Sequence, residues 1–166
     1  MELLLDRFLE LLEELTAAYR VLLSVLQKEK KTIVNSSFKE TNEATKEKEN
    51  ILLKIRIIEN ERLKIQGKLA DSLGYFPQEL TMTKLSKLIQ EPYSKRLESR
   101  CSNLSALLNS ILEVNNSNKA LIFHCLELVR GSLTLLGSLI SSNPVYYRNG
   151  VVQLSENNGR VLSGRI

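Results

Sequence analysis

The chain has one histidine, two cysteines and seven glycines, and each scarcity closes off a class of chemistry. His124 has no second imidazole to join it and there is no CxxC, so the usual zinc ligand sets cannot be assembled. Cys101 is too far from His124 along one helix to form a nucleophile–base pair. The glycines stand at 67, 74, 131, 137, 150, 159 and 164, with neither GxGxxG nor GxxxxGK spacing, so no phosphate loop is expected. Carboxylates such as Glu13 and Glu14, or Glu47 and Glu49, belong to polar helix surface, with nothing to raise a pKa for acid–base work. The expectation is a protein that is not an enzyme and needs no metal and no cofactor.

Other absences narrow the class further. Two cysteines are too few for a disulfide framework. If Cys101 and Cys125 share one straight helix they stand about 36 Å apart, so they cannot bridge, and Cys125 reads as a small core residue. No dense basic stripe appears, although the net charge is +4. Charges balance closely through residue 70, and the excess falls on Lys84, Lys87, Lys95, Arg96, Arg100 and the tail arginines. That distribution argues against nucleic acid as a partner. The start, MELLLDRFLELLEEL, is acidic where a targeting segment would be basic. Glu127 and Arg130 interrupt the apolar stretch near the end, so stable membrane insertion is not expected. A cytoplasmic protein is the default reading.

What is present is leucine at helical spacing. Leu5, Phe8, Leu12, Leu15, Tyr19, Leu22 and Leu26 alternate by three and four, the seam of a left-handed helix pair. This first helix is expected from Glu2 to about Lys31. Asn35, Ser36 and Ser37 break it, and Ser37 with Glu40 has capping-box spacing. A second helix is expected from Phe38 to Leu73, polar at first, then carrying Ile51, Ile55, Ile58, Ile65 and Leu69. Arg62 shares that spacing, either snorkelling at the seam's edge or paired to a carboxylate within it. Gly74 and Pro77 stop the helix. Thr83 could cap a short helix from Lys84 to Gln90, and Pro92 suits the first turn of a last helix running to about Ser141.

That last helix carries two interleaved apolar series. Leu97, Leu104, Ile111, Asn118, Cys125 and Leu139 form one; Leu107, Val114, Leu121, Leu128 and Leu135 form the other. Near its end Ile122, Leu126, Val129, Leu133, Leu136 and Ile140 make a further face, more than one neighbouring helix can bury. Asn118 either sets register at a cost in stability or offers hydrogen bonds to a partner. Gly131 and Gly137 mark a bend, a close approach or fraying. Residues 1–142 are expected to form one all-α domain, an elongated antiparallel helical bundle of three main helices and a short connector. Residues 143–166 are expected to be a flexible tail, or one ordered by a partner.

Taken in order, several stretches resemble the FlgN-type flagellar export chaperones over about residues 5–150. They are the leucine-rich first helix with Tyr19 and Leu22–Leu23 ahead of Glu29, KEKENILLKIRIIENERLKI, LADSLG, TMTKLSKL, NNSNKALI and YYRNG with Tyr147 and Gly150. The resemblance implies a cytoplasmic chaperone for hook–filament junction proteins that binds their C-terminal segments, prevents premature assembly and aids type III export. It leaves open contact with the export ATPase or the export gate. It also implies client binding along roughly Leu121–Val152. Together with the further apolar face this nominates Asn118, Ile122, Leu126, Val129, Leu133, Leu136, Ile140 and Tyr147. The alternative is a structural coiled-coil protein that uses the same face for self-association.

Overall fold

In a computed structural model the backbone is described for residues 1–141 and side chains through Ser138. Four helices and no strand occur among the described residues: α1 (Glu2–Val34), α2 (Phe38–Leu73), α3 (Met82–Leu88) and α4 (Tyr93–Ser141). The all-α expectation holds. The tail from residue 142, with Tyr147, lies outside the described residues.

The chain divides into two compact units, Met1–Leu121 and Ile122–Ile166. The core belongs to the first. Phe8, Leu12, Leu15 and Leu26 of α1 are essentially sealed, as the three–four alternation requires, and Leu11 beside them is sealed too. From α2 come Ile55, Ile58 and Leu69, and from α4 come Leu97, Leu104 and Ile111. Pairs along the helices set their directions. Lys28 meets Glu47 at 2.6 Å and Arg7 meets Glu61 at 3.2 Å, so α1 and α2 are antiparallel. Tyr93 donates to Asp6, Arg100 meets Glu13 and Asn118 reaches Leu26, so within this unit α4 runs parallel to α1.

Helix ends follow local chemistry, with two departures from expectation. Ser37 is the N-cap of α2, yet its side chain caps nothing. The capping box therefore does not form, and the Thr41 hydroxyl lies within hydrogen-bond reach of the Ser37 carbonyl and the Thr32 hydroxyl, either of which can accept its one proton. The short helix begins two residues earlier than its spacing suggested. Thr81, not Thr83, is the cap, accepting from the Lys84 amide at 3.2 Å; Leu85 and Ser86 are then buried. Gly74 ends α2 in the left-handed region at φ 76°. There the Tyr75 amide bonds the Ala70 carbonyl and the Gly74 amide that of Asp71, a Schellman closure.

Arg62 resolves in favour of pairing. Its side chain is 12% exposed and bonds Glu59 at 2.6 Å. It also donates to Gln66 at 2.6 Å, and Gln66 in turn donates to the Leu80 carbonyl. This chain of bonds fastens the loop before α3 to the middle of α2. Snorkelling is the weaker arrangement here because the carboxylate and the amide are both within one turn.

Candidate functional site

The seam of α4 changes character at one residue. Leu97, Leu104, Ile111 and Asn118, spaced by seven, are all buried. Cys125, the next in the series, is exposed, which overturns its assignment as a core residue. In the second series Leu107, Val114 and Leu121 are half-buried, whereas Leu128 is 73% exposed. The heptad spacing continues in the sequence past the point where burial stops.

Asn118 closes the buried part. Its amide donates to the Leu26 carbonyl at 2.8 Å and to the Glu29 carboxylate at 2.9 Å. Glu29 is itself buried and paired to Lys48 of α2. Three helices are thereby joined by one polar clasp. The Asn118 Oδ1 atom is buried without a partner. These contacts remove Asn118 from the expected client-binding set, because both amide protons and nearly all its surface are committed inside the first unit. The register reading is the one its geometry supports.

Beyond Leu121 the helix is uncovered. Ile122, Leu126, Val129, Leu133 and Leu136 are exposed, as the face assigned to a partner requires. Ile140 lies on the α4 backbone, but its side chain is outside the described residues. Phe123, Leu128 and Leu135 are exposed as well, at 57%, 73% and 67%. The latter two continue the second series past the point where it is covered. At about 100° per residue both apolar faces merge into one arc of roughly half the helix circumference. Glu127, Arg130 and Thr134 occupy the remaining side, with Phe123 among them. A shallow depression of about 600 Å³ runs along His124, Leu128, Gly131 and Leu135 at the arc's edge. Gly131 and Gly137 have open space where a Cβ would go, so neither marks a close approach among the described residues.

This arc also affects the membrane question. By length and composition alone α4 is apolar enough to cross a membrane, with mean hydropathy 1.4 in its most apolar window and none of that window buried.

The arrangement offers surface rather than reaction chemistry. Among the described residues no three His, Cys, Asp or Glu side chains come together as a metal site. His124 is exposed beside Phe123, with ring centroids 6.5 Å apart. Cys101 is half-buried, and burial pushes its thiol up, with Arg62 pulling only partly back. Reaction with a thiol reagent near neutral pH is therefore expected first at Cys125, then several-fold more slowly at Cys101. Mass spectrometry of a timed alkylation checks the order; equal rates would contradict the burial of Cys101.

A family model described as FlgN protein matches residues 1–153. The chain belongs to the FlgN family. It is thus a flagellar export chaperone in general character, of a family that binds flagellar substrate proteins rather than one of enzymes. No curated protein and no solved structure matches the chain. The match spans both the buried bundle and the uncovered half of α4, so the family assignment covers the apolar arc.

Proposed function

We propose that this FlgN-family chain works in the cytoplasm on hook–filament junction proteins, holding their C-terminal segments until export and preventing premature assembly. The client lies as an amphipathic helix along Ile122–Leu136, with its apolar stripe against the exposed arc. Ile122, Leu126, Val129, Leu133 and Leu136 form one half of the contact. Leu128 and Leu135 widen it, and Ile140 and Tyr147 would extend it toward the tail. The observation that carries this reading is the exposure of Ile122, Leu126, Val129, Leu133 and Leu136 on a helix whose seam is buried as far as Asn118.

A protein client suits the arc better than a bilayer core. Arg130 would sit inside any spanning window, at about 2.5–3.5 kcal/mol near its centre, whereas against a client helix it stays in water on the polar side. Burying exposed leucines supplies about 1.5–3 kcal/mol for each side chain fully covered, and ordering both partners consumes much of that. The balance is releasable binding, with affinity of about a micromolar or somewhat tighter. Once loaded, the chaperone would present its client to the export ATPase or the export gate.

Titration calorimetry of the full chain with C-terminal segments of junction proteins tests the proposal. Saturable one-to-one binding with a negative heat-capacity change is the expected result. Heats that never saturate would refute it. A stable dimer that buries Leu126 and Leu133 and excludes the segments would favour the self-associating alternative.

A further inference from the structure

A second uncovered apolar surface lies far from the α4 arc in sequence, on the outward side of α2. Leu52, Leu53, Ile57 and Leu63 are 46%, 60%, 67% and 54% exposed. Ile55, Ile58 and Leu69 of the same helix face the core. The outward side has coiled-coil spacing of its own. Glu49, Leu53, Arg56, Asn60, Leu63 and Gly67 alternate by four and three, with Ile57 and Lys64 flanking them. Among the described residues Glu49, Arg56 and Lys64 join no ion pair.

This face is complementary to itself when reversed. With an antiparallel copy centred near residue 58, Leu53 meets the second copy's Leu63 and Arg56 meets its Asn60, and each contact occurs twice. Ile57 approaches its own counterpart. Glu49 falls opposite Gly67, above which there is open space, and within one turn of Lys64. A parallel copy would instead stack Glu49 on Glu49 and Arg56 on Arg56, which like charges oppose. The polar Arg56–Asn60 layer then fixes register, as a single buried polar position does in coiled coils.

We propose that α2 is an interface between two copies of this chain, paired antiparallel through Leu53, Ile57 and Leu63. Four partly exposed apolar side chains per copy make a small contact, of the transient class below about 1,200 Å². The pair therefore forms at high local concentration and uses none of the α4 residues assigned to the client.

Sedimentation velocity over a wide concentration range tests the pairing, using Leu133→Asp/Leu136→Asp chains so that the α4 arc contributes nothing. A monomer–dimer equilibrium is expected. Adding Leu53→Asp and Ile57→Asp should leave only monomer at every concentration. Glu49→Lys or Lys64→Glu alone should weaken the dimer about three- to fivefold, and the two combined should restore it. In chains carrying Cys101→Ser and Cys125→Ser, Ile57→Cys should cross-link to itself under mild oxidation and Gly67→Cys should not. Monomer throughout, a dimer indifferent to Leu53→Asp/Ile57→Asp, or cross-linking through Gly67→Cys would overturn the proposal.

Discussion

Leu133→Asp combined with Leu136→Asp should lower affinity for a junction-protein segment by about 100-fold or more while leaving the fold in place. Both leucines are exposed, at 63% and 56%, so neither contributes a packed contact to the bundle. Covering what remains of each with a client helix is worth about 1.5 kcal/mol or more. A carboxylate at the same position must in addition be desolvated without a partner. The two losses together exceed about 3 kcal/mol, which is the factor of 100. The cost to the free chain is local. Aspartate in place of leucine lowers helix propensity by about 0.5 kcal/mol per site, and the Met1–Leu121 core is untouched. Calorimetry for binding and circular dichroism for unfolding separate the effects. Unchanged binding would place the site elsewhere, and a collapse of helicity would mean that the arc is structural.

The second large effect concerns the polar clasp. Glu29→Ala should destabilise the first unit by about 3–5 kcal/mol, the usual result of removing one member of a buried ion pair. It strands the Lys48 ammonium, 24% exposed, and leaves one amide proton of Asn118 without its acceptor. The informative comparison is the triple replacement Glu29→Leu, Lys48→Leu and Asn118→Leu. Desolvation of the pair and the unpartnered Asn118 Oδ1 both disappear in that variant. Its stability should equal or exceed that of the parent, because well-packed apolar groups commonly match a buried ionic cluster. What should suffer is uniqueness. With leucine at 118, the series Leu97, Leu104, Ile111 and 118 is apolar throughout and tolerates a shift by one heptad or pairing with another chain. Urea unfolding measures the first effect, and mass in solution measures the second. If Glu29→Ala cost less than about 1 kcal/mol, the clasp would have no structural role.

The clasp also marks where reading the sequence succeeds and where it stops. The α1 seam and both ends of α2 are legible, because three–four alternation and Gly74 each admit one physical reading. The short helix was displaced by two residues because Thr81 and Thr83 are chemically equivalent caps, and only the burial of Leu85 and Ser86 selects between them. The exposure of Leu128 and Leu135 is not legible for a different reason. Their spacing continues the series of Leu107 and Val114, and periodicity records a face without recording whether anything covers it. Length held the missing signal. The first helix has 33 residues against 49 in α4, and α1 ends a turn and a half past Glu29, where Asn118 is held. A helix of the length of α1 cannot shield one half as long again.

Arg62 teaches the converse. Its spacing places it on the seam, but spacing cannot choose its partner. Glu59 and Gln66 lie within one turn on either side, and the loop carbonyl of Leu80 comes from 14 residues beyond Gln66. Local partners are visible in a sequence, and the tertiary acceptor that locks them is not.

Hydrogen exchange of the full chain, with and without a saturating junction-protein segment, is the most direct test of the central claim that the client docks on the uncovered half of α4. Slowed exchange is predicted across Ile122–Ser138, where the free helix has few packed contacts to protect it. Little change is predicted in the already buried stretches of α1 and α2. Protection confined to Met1–Leu121, with residues 122–138 exchanging as fast as in the free chain, would contradict the account.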